Sequence, residues 1–315
     1  MFKIGTAPTH TEDAIHHADY IELECLKKSN GSFSGGDLAA VFSRLNDDLP
    51  EDRRDADLDT ENAIREAFAE LGDRIEHSGR RGHRYPYKLN RNADVLTFDT
   101  NIKAFDLYLF LLTATRLNMG EDRVHEGIDG AELFEQVCCE VAKNYWGKDA
   151  EALVFGTARR VDGREVAGFE AAVDHLCKSM KESDGFCNNY NDAITAQDGK
   201  LDVVVWKPFT DQRRGQLIGF GQCKTGTHWS AGLFTLQPDG FCKKWVWPAP
   251  VVDPVRLYFI TARVKQSKWN EVNVDAGIFF DRCRIMDYAP PMPTLRQQWI
   301  KWTRAALLSH GITMP

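Results

Sequence analysis

The chain has 315 residues, with 43% hydrophobic and 27% charged residues and a formal net charge of −7. That is ordinary for a globular protein of one large or two moderate domains, and it argues against a chain that coats nucleic acid indiscriminately. No apolar run reaches the roughly 18 to 20 residues of a membrane span, and "MFKIGTAPTH" has no apolar signal-peptide core. The eight cysteines are scattered without a CxxC pair, so neither a zinc framework nor a disulfide scaffold is expected, and a reduced, cytoplasmic setting is.

In chain order, the first 125 residues read as a mainly helical region for recognition or partner binding. "AIHHADYIELECLKK" has helical spacing, and "SFSGGDLAAVFSRLND" starts a helix after a Gly-Gly break. Asn46 to Glu61 holds eight acids and two arginines, a local −6, and reads as a solvated loop. "DTENAIREAFAELGDRIEHSG" begins a helix at a Thr60 cap and ends it near Gly79. Arg74 to Arg91 carries six Arg or Lys against Glu76, a local +5, with Tyr85 and Tyr87 interleaved. A solvated loop is one reading of it, and nucleic-acid contact through Arg80, Arg81, Arg84 and Lys88 is the other. "NIKAFDLYLFLLTATRL" is apolar on nearly every face, as a buried central helix would be.

Residues 126–315 change texture. Helix "AELFEQVCCEVAKNYWG" leads to strand "EALVFGTAR" and a second helix, "REVAGFEAAVDHLCKSMKE". Strands "KLDVVVWKP" and "GQLIGFGQCK" flank a polar turn containing Arg213 and Arg214. A Trp-rich loop region follows (Trp229, Trp245, Trp247), then strands "VRLYFITARV" and "AGIFFDRCRIMDY" and a last helix, "TLRQQWIKWTRAALLSH". The order predicts an α/β domain with a mixed sheet. Asp281 and Arg282 read as a local pair, and Trp299 and Trp302 as a face packed on the sheet.

Two strand features carry chemistry. Asp202 is the one carboxylate in "LDVVVW", costly there unless a cation, a metal or several donors satisfy it. Gln222 and Lys224 are two apart, hence on one strand face. If the strands are neighbours, an acid, an amide and an ammonium converge at one sheet end, where they can hold a hard divalent metal and a water beside a phosphate. A buried Asp202–cation pair is the bland alternative. On the preceding helix, Glu135 and Glu140 flank the apolar stripe of Leu133, Phe134, Val137, Cys138 and Val141, whereas Glu132 points away. His228, beside Trp229, is the only histidine near the group; the others lack metal-ligand spacing.

Asp202 followed by Gln222-x-Lys224, after a glutamate-bearing helix, resembles the PD-(D/E)xK nuclease core in the Mrr-like variant with Gln at the second acid position. The resemblance covers roughly residues 130–290. It implies a restriction-endonuclease-like mixed sheet flanked by helices, and hydrolysis of phosphodiester bonds with Mg²⁺ or Mn²⁺. It makes Asp202, Gln222, Lys224 and Glu135 catalytic, Glu135 being favoured by the family's Phe-Glu pair and Glu170 remaining its rival. Asp202, Glu135, Gln222 and the Cys223 backbone carbonyl become metal ligands, and Arg213, Arg214 and His228 join the nucleic-acid contacts. The implied setting is a restriction or anti-phage effector acting on DNA, with RNA open, a separate sensor or ATPase subunit, and further copies of the chain as partners. Because Gln222 brings no charge, a degenerate core that binds or assembles without catalysis is the alternative.

Overall fold

A computed structural model describes residues 3–47, 60–78, 85–99, 101–102, 105–156, 160–161, 164–165, 168–191 and 199–314. The principal helices are α1 (Ala14–Lys27), α2 (Gly35–Asp47), α3 (Thr60–His77), α4 (Asp106–Arg116), α5 (Gly130–Trp146), α6 (Phe169–Met180), α7 (Pro238–Trp245), α8 (Trp269–Ala276), α9 (Arg282–Tyr288) and α10 (Pro293–Leu308). The strands used below are β1 (Ser32–Ser34), β2 (Tyr87–Asn90), β3 (Val95–Phe98), β4 (Glu151–Val154), β5 (Val203–Lys207), β6 (Leu217–Lys224), β7 (Val255–Ile260) and β8 (Ile278–Phe280).

The expected mixed sheet is present, five strands in the order β8-β7-β6-β5-β4. The β4/β5 and β5/β6 pairs are antiparallel, whereas β6/β7 and β7/β8 are parallel. Both faces are covered, which is why β5 reads as an unbroken Val-Val-Val-Trp run. On one face Val203, Val205, Leu257 and Phe259 meet the α5 stripe of Leu133, Phe134, Val137, Cys138 and Val141. On the other, Val204, Trp206, Ile218 and Phe220 meet Leu176 of α6 and Phe241 and Trp245 of α7. Helix α5 starts where Asp129 caps it, its side chain accepting from the Ala131 and Glu132 N–H groups at 2.9 and 3.3 Å.

The first 125 residues are not purely helical. They include an antiparallel three-stranded sheet, β1-β3-β2. Tyr85 and Tyr87, expected to stand near a nucleic-acid surface, are buried, and their hydroxyls donate to Glu22, Tyr85 to its carboxylate and Tyr87 to its backbone carbonyl. Every residue of α4 is buried, as its uniform apolarity predicts. The core does not divide at residue 125: Ile21 and Phe110 belong to the same cluster as Val137, Phe259 and Trp302.

Three further expectations change. "AGIFFDRCRIMDY" is strand only through Phe280; the Asp281 carboxylate accepts from Arg284 N at 3.0 Å, caps α9 and turns the chain helical. The Trp-rich stretch contains helix α7 rather than loop alone. Trp299 and Trp302 pack α10 on α4 and α5, not on the sheet, donating to Asp106 Oδ2 and Arg123 O at 2.7 and 2.8 Å.

A charged network lies inside the joined core. Asp19 meets Arg74, Arg116 and Arg282 at 2.7, 2.6 and 2.8 Å, all four side chains being at most 1% exposed. Glu22 meets Arg74 at 2.9 Å and accepts from Tyr108 Oη at 2.9 Å. Glu70 adds a contact to Arg74 at 2.9 Å, and Asp281 pairs with Arg263. Asp281 and Arg282 therefore do not pair with each other. Burial alone would push the Asp19 carboxyl up, but the guanidiniums of Arg116, Arg282 and Arg74 hold it well below the usual carboxylate range.

Candidate active site

The antiparallel register sets Val203 opposite Gly221, so Asp202 enters the sheet beside the end of β6. Its backbone ties three segments together: Asp202 N donates to Gly221 O at 2.9 Å, while Asp202 O accepts from Phe155 and Gly156 N at 2.8 and 3.0 Å. Its side chain turns to β6, where Oδ2 accepts from the Cys223 N–H at 2.7 Å. Asp202 is 8% exposed, and so is Glu135.

Glu135 reaches the same place from α5. A Cβ built on Gly156 would stand 2.7 Å from Glu135 Oε2 and 3.0 Å from Oε1. Only glycine leaves room for that carboxylate above a backbone whose N–H is bonded to Asp202. The two acids also act on one pair of thiols. Burial raises the pKa of Cys138 and of Cys223, and the negative charges of Glu135 and Asp202 raise both further. Without a cation nearby, both thiols are protonated at neutral pH.

Gln222 and Lys224 share one face of β6, opposite Tyr258 and Ile260 of β7. Gln222 is 1% exposed. Thr235 Oγ1 lies 2.9 Å from its amide, and with the amide turned so that its oxygen faces Lys224, Nε2 donates to Gly232 O at 3.1 Å and Oε1 accepts from Lys224 Nζ at 3.3 Å. The Lys224 stem runs over Gly232, where a Cβ would stand 3.1 Å from Lys224 Cε and 2.6 Å from Tyr258 Oη. Tyr258 Oη donates to Trp229 O at 2.7 Å. The loop after Lys224 is therefore clamped onto the residues expected to react. Gln222 thus contacts both Lys224 and that loop.

The chain matches no family model, no curated protein and no solved structure.

The other expected residues divide. Glu170 stands exposed in the first turn of α6, whose buried residues belong to the core on the sheet face opposite α5; Glu135 is the glutamate brought beside Asp202. His228 is exposed at the start of the 3-10 helix Trp229–Gly232, four residues past Lys224. Arg213 and Arg214 lie in the turn before β6, the opposite end of the strand from Lys224, and pair with Asp211 and Asp184. Lys88 is exposed on β2 and pairs with Asp99 at 2.7 Å. Arg80, Arg81 and Arg84 fall outside the described residues. Sequence reasoning missed Gly156, Gly232 and Thr235; the "FG" after β4 and the "AGLFT" that closes and follows the 3-10 helix carry no pattern that marks them.

Proposed function

We propose that the protein is a metal-dependent nuclease that hydrolyses phosphodiester bonds, with a restriction-endonuclease-like core. The observation that carries this reading is that the Glu135 carboxylate lies against Gly156, whose N–H is bonded to the Asp202 backbone, at the sheet end where β6 delivers Lys224. The donor set fits magnesium or manganese better than zinc. Among the described residues no three His, Cys, Asp or Glu side chains could hold a metal together, and two carboxylates with backbone oxygens suit a hard cation that keeps several waters. Glu135, Asp202 and the Cys223 carbonyl would hold it. When bound, it supplies charge to the scissile phosphate and lowers the pKa of the attacking water.

The chain's own residues do the rest. Lys224, beside Gln222, would hold its Nζ toward the phosphate and offset the charge that develops there. The Cys223 N–H orients the Asp202 carboxylate, and the Gly156 backbone fixes the height of Glu135. DNA is the expected substrate, with RNA as the second polymer to assay, and the expected setting is restriction or anti-phage defence. The second reading, a binding or assembly module without catalysis, has one observation in its favour: the Gln222 amide already satisfies itself within the protein.

The test is cleavage of supercoiled plasmid and of structured RNA with Mg²⁺ or Mn²⁺, wild type beside Asp202→Ala and Lys224→Ala. Cleavage by the wild type that falls about 100- to 1,000-fold in both variants is the expected result. A folded Lys224→Ala protein that cuts at the wild-type rate would end this reading. Absence of both cleavage and Asp202-dependent metal binding would favour the module.

A further inference from the structure

Behind the loop that holds Lys224 lies a cavity of 480 Å³ that the catalytic reading does not use. It opens between the two parts of the chain, a common position for small-molecule sites, and its volume is in their range. Asp13, Ile15, His16 and Arg116 form the wall from the first 125 residues, and the segment Ala262–Lys265 with α8 forms the opposite one. Trp229 and Leu233, from the loop after Lys224, complete it.

The lining narrows the ligand. Ile15, Leu233, Val264 and Val272 give apolar surface, and Trp229 adds an aromatic ring. Four cations, Arg116, Arg263, Lys265 and Lys268, face three acids, Asp13, Glu271 and Asp275. Burial and the nearby Arg116 guanidinium lower the His16 pKa against the pull of Glu12, so that its ring adds no charge at pH 7. Arg116 is already met by Asp19, Arg263 by Asp281 and Lys265 by Asp13 at 3.1 Å, which leaves Lys268 as the cation most open to a phosphate. A small bare anion would find little net field here, while a wholly apolar ligand would strip water from charges of both signs. A flat ring with hydrogen-bonding edges, joined to an anionic group, uses the apolar walls, the aromatic ring and the cations together.

We infer that this cavity binds a nucleotide, its base against Trp229 and its phosphate toward Lys265 and Lys268. The occupant acts on Lys224 through a short path. The cavity is lined by Trp229, Ser230 and Leu233, while the same loop hands its Trp229 carbonyl to Tyr258 and its Gly232 carbonyl to Gln222, which holds Lys224. The nucleotide is either part of a bound strand or free in solution.

The inference stands apart from the nuclease reading, because binding can be measured with metal removed. Full-length protein in EDTA is titrated calorimetrically with the common ribo- and deoxyribonucleoside 5′-monophosphates, and then with a mixed-sequence single-stranded oligonucleotide in competition. Saturable binding of at least one monophosphate is expected, weakened about 5- to 150-fold in Trp229→Ala, the range of a base–aromatic stack. Lys268→Glu, at an exposed position, keeps the test open should Trp229→Ala fail to fold; it weakens the monophosphate more than the matching nucleoside. Displacement of the monophosphate by the oligonucleotide assigns the pocket to a strand nucleotide, and joint binding assigns it to a free one. No saturable binding up to about 1 mM, or binding that the folded variants leave unchanged, overturns the inference.

Discussion

Two groups of charge sit in this molecule, and they are built oppositely. Around Asp19, four carboxylates (Asp19, Glu22, Glu70, Asp281) face four guanidiniums (Arg74, Arg116, Arg263, Arg282), with contacts from 2.6 to 2.9 Å at the centre and almost no exposure. At the sheet end, Glu135 and Asp202 lie against two protonated thiols and over a glycine, and the ammonium they accompany is held by a neutral amide. Matched charge in a dry interior fixes architecture. Acids, an amide and a lysine gathered where two strands end fix less of the architecture and suit chemistry better than a closed network does.

The largest expected effect separates the two groups by what they lose. Glu135→Ala should lower metal-dependent cleavage by about two to three orders of magnitude, in line with loss of a residue that stabilises the transition state, while its thermal midpoint stays near that of the wild type. Arg282→Met should do the reverse. Removing one partner of a buried pair costs about 3 to 5 kcal/mol, to be read from denaturant unfolding. An equally unstable Glu135→Ala protein would erase the distinction.

Acid should act on the network too. Asp19 has a folded pKa depressed below its ordinary 3.8, so its stabilisation is present above that value and is lost as pH falls through the folded one. Stability measured from pH 6 downward should therefore drop most steeply below about pH 4. In Asp19→Asn, weaker throughout, the slope in that window should flatten.

A smaller effect sharpens the site. Gly156→Ala would put a methyl 2.7 Å from Glu135 Oε2. We expect cleavage to fall about tenfold, with unfolding changed by only about 1 kcal/mol, since the carboxylate end can shift where backbone cannot. Smallest of all, Arg214→Ala should change stability by less than about 0.5 kcal/mol and leave cleavage unaltered. Its pair with Asp184 is solvent-exposed and lies at the wrong end of β6.

How much of this could be read from the sequence differs between the same two groups. The sheet-end residues were legible because their elements obey simple periods: α5 keeps its stripe at 3.6, β5 is an apolar run that starts just after Asp202, and β6 is one that ends at Lys224. What was not legible is contact across distance in the chain. Asp19, Glu22 and Arg74 look like the polar faces of ordinary helices, and nothing local says that those faces turn inward. Tyr87–Asn90 sits in a basic run that hides a four-residue strand. Asp281 begins a helix by capping it, yet it follows three β-prone residues that invite continued strand. That Glu135, and not Glu170, comes beside the Asp202 backbone depends on Gly156, a residue with no pattern of its own.

Asp19 and Arg282 are 263 positions apart, and that separation has a consequence for how the protein is made. At about 5 to 20 residues per second, a ribosome that has released Asp19 needs roughly 13 to 50 s more before Arg282 follows. Through that interval Asp19 can meet Arg74 and Arg116 but lacks the third guanidinium that completes its buried set. The amino-terminal third is thus committed to waiting for the carboxy-terminal end. A nascent chain truncated before Arg282 should be recognised by chaperones and proteases as unfinished.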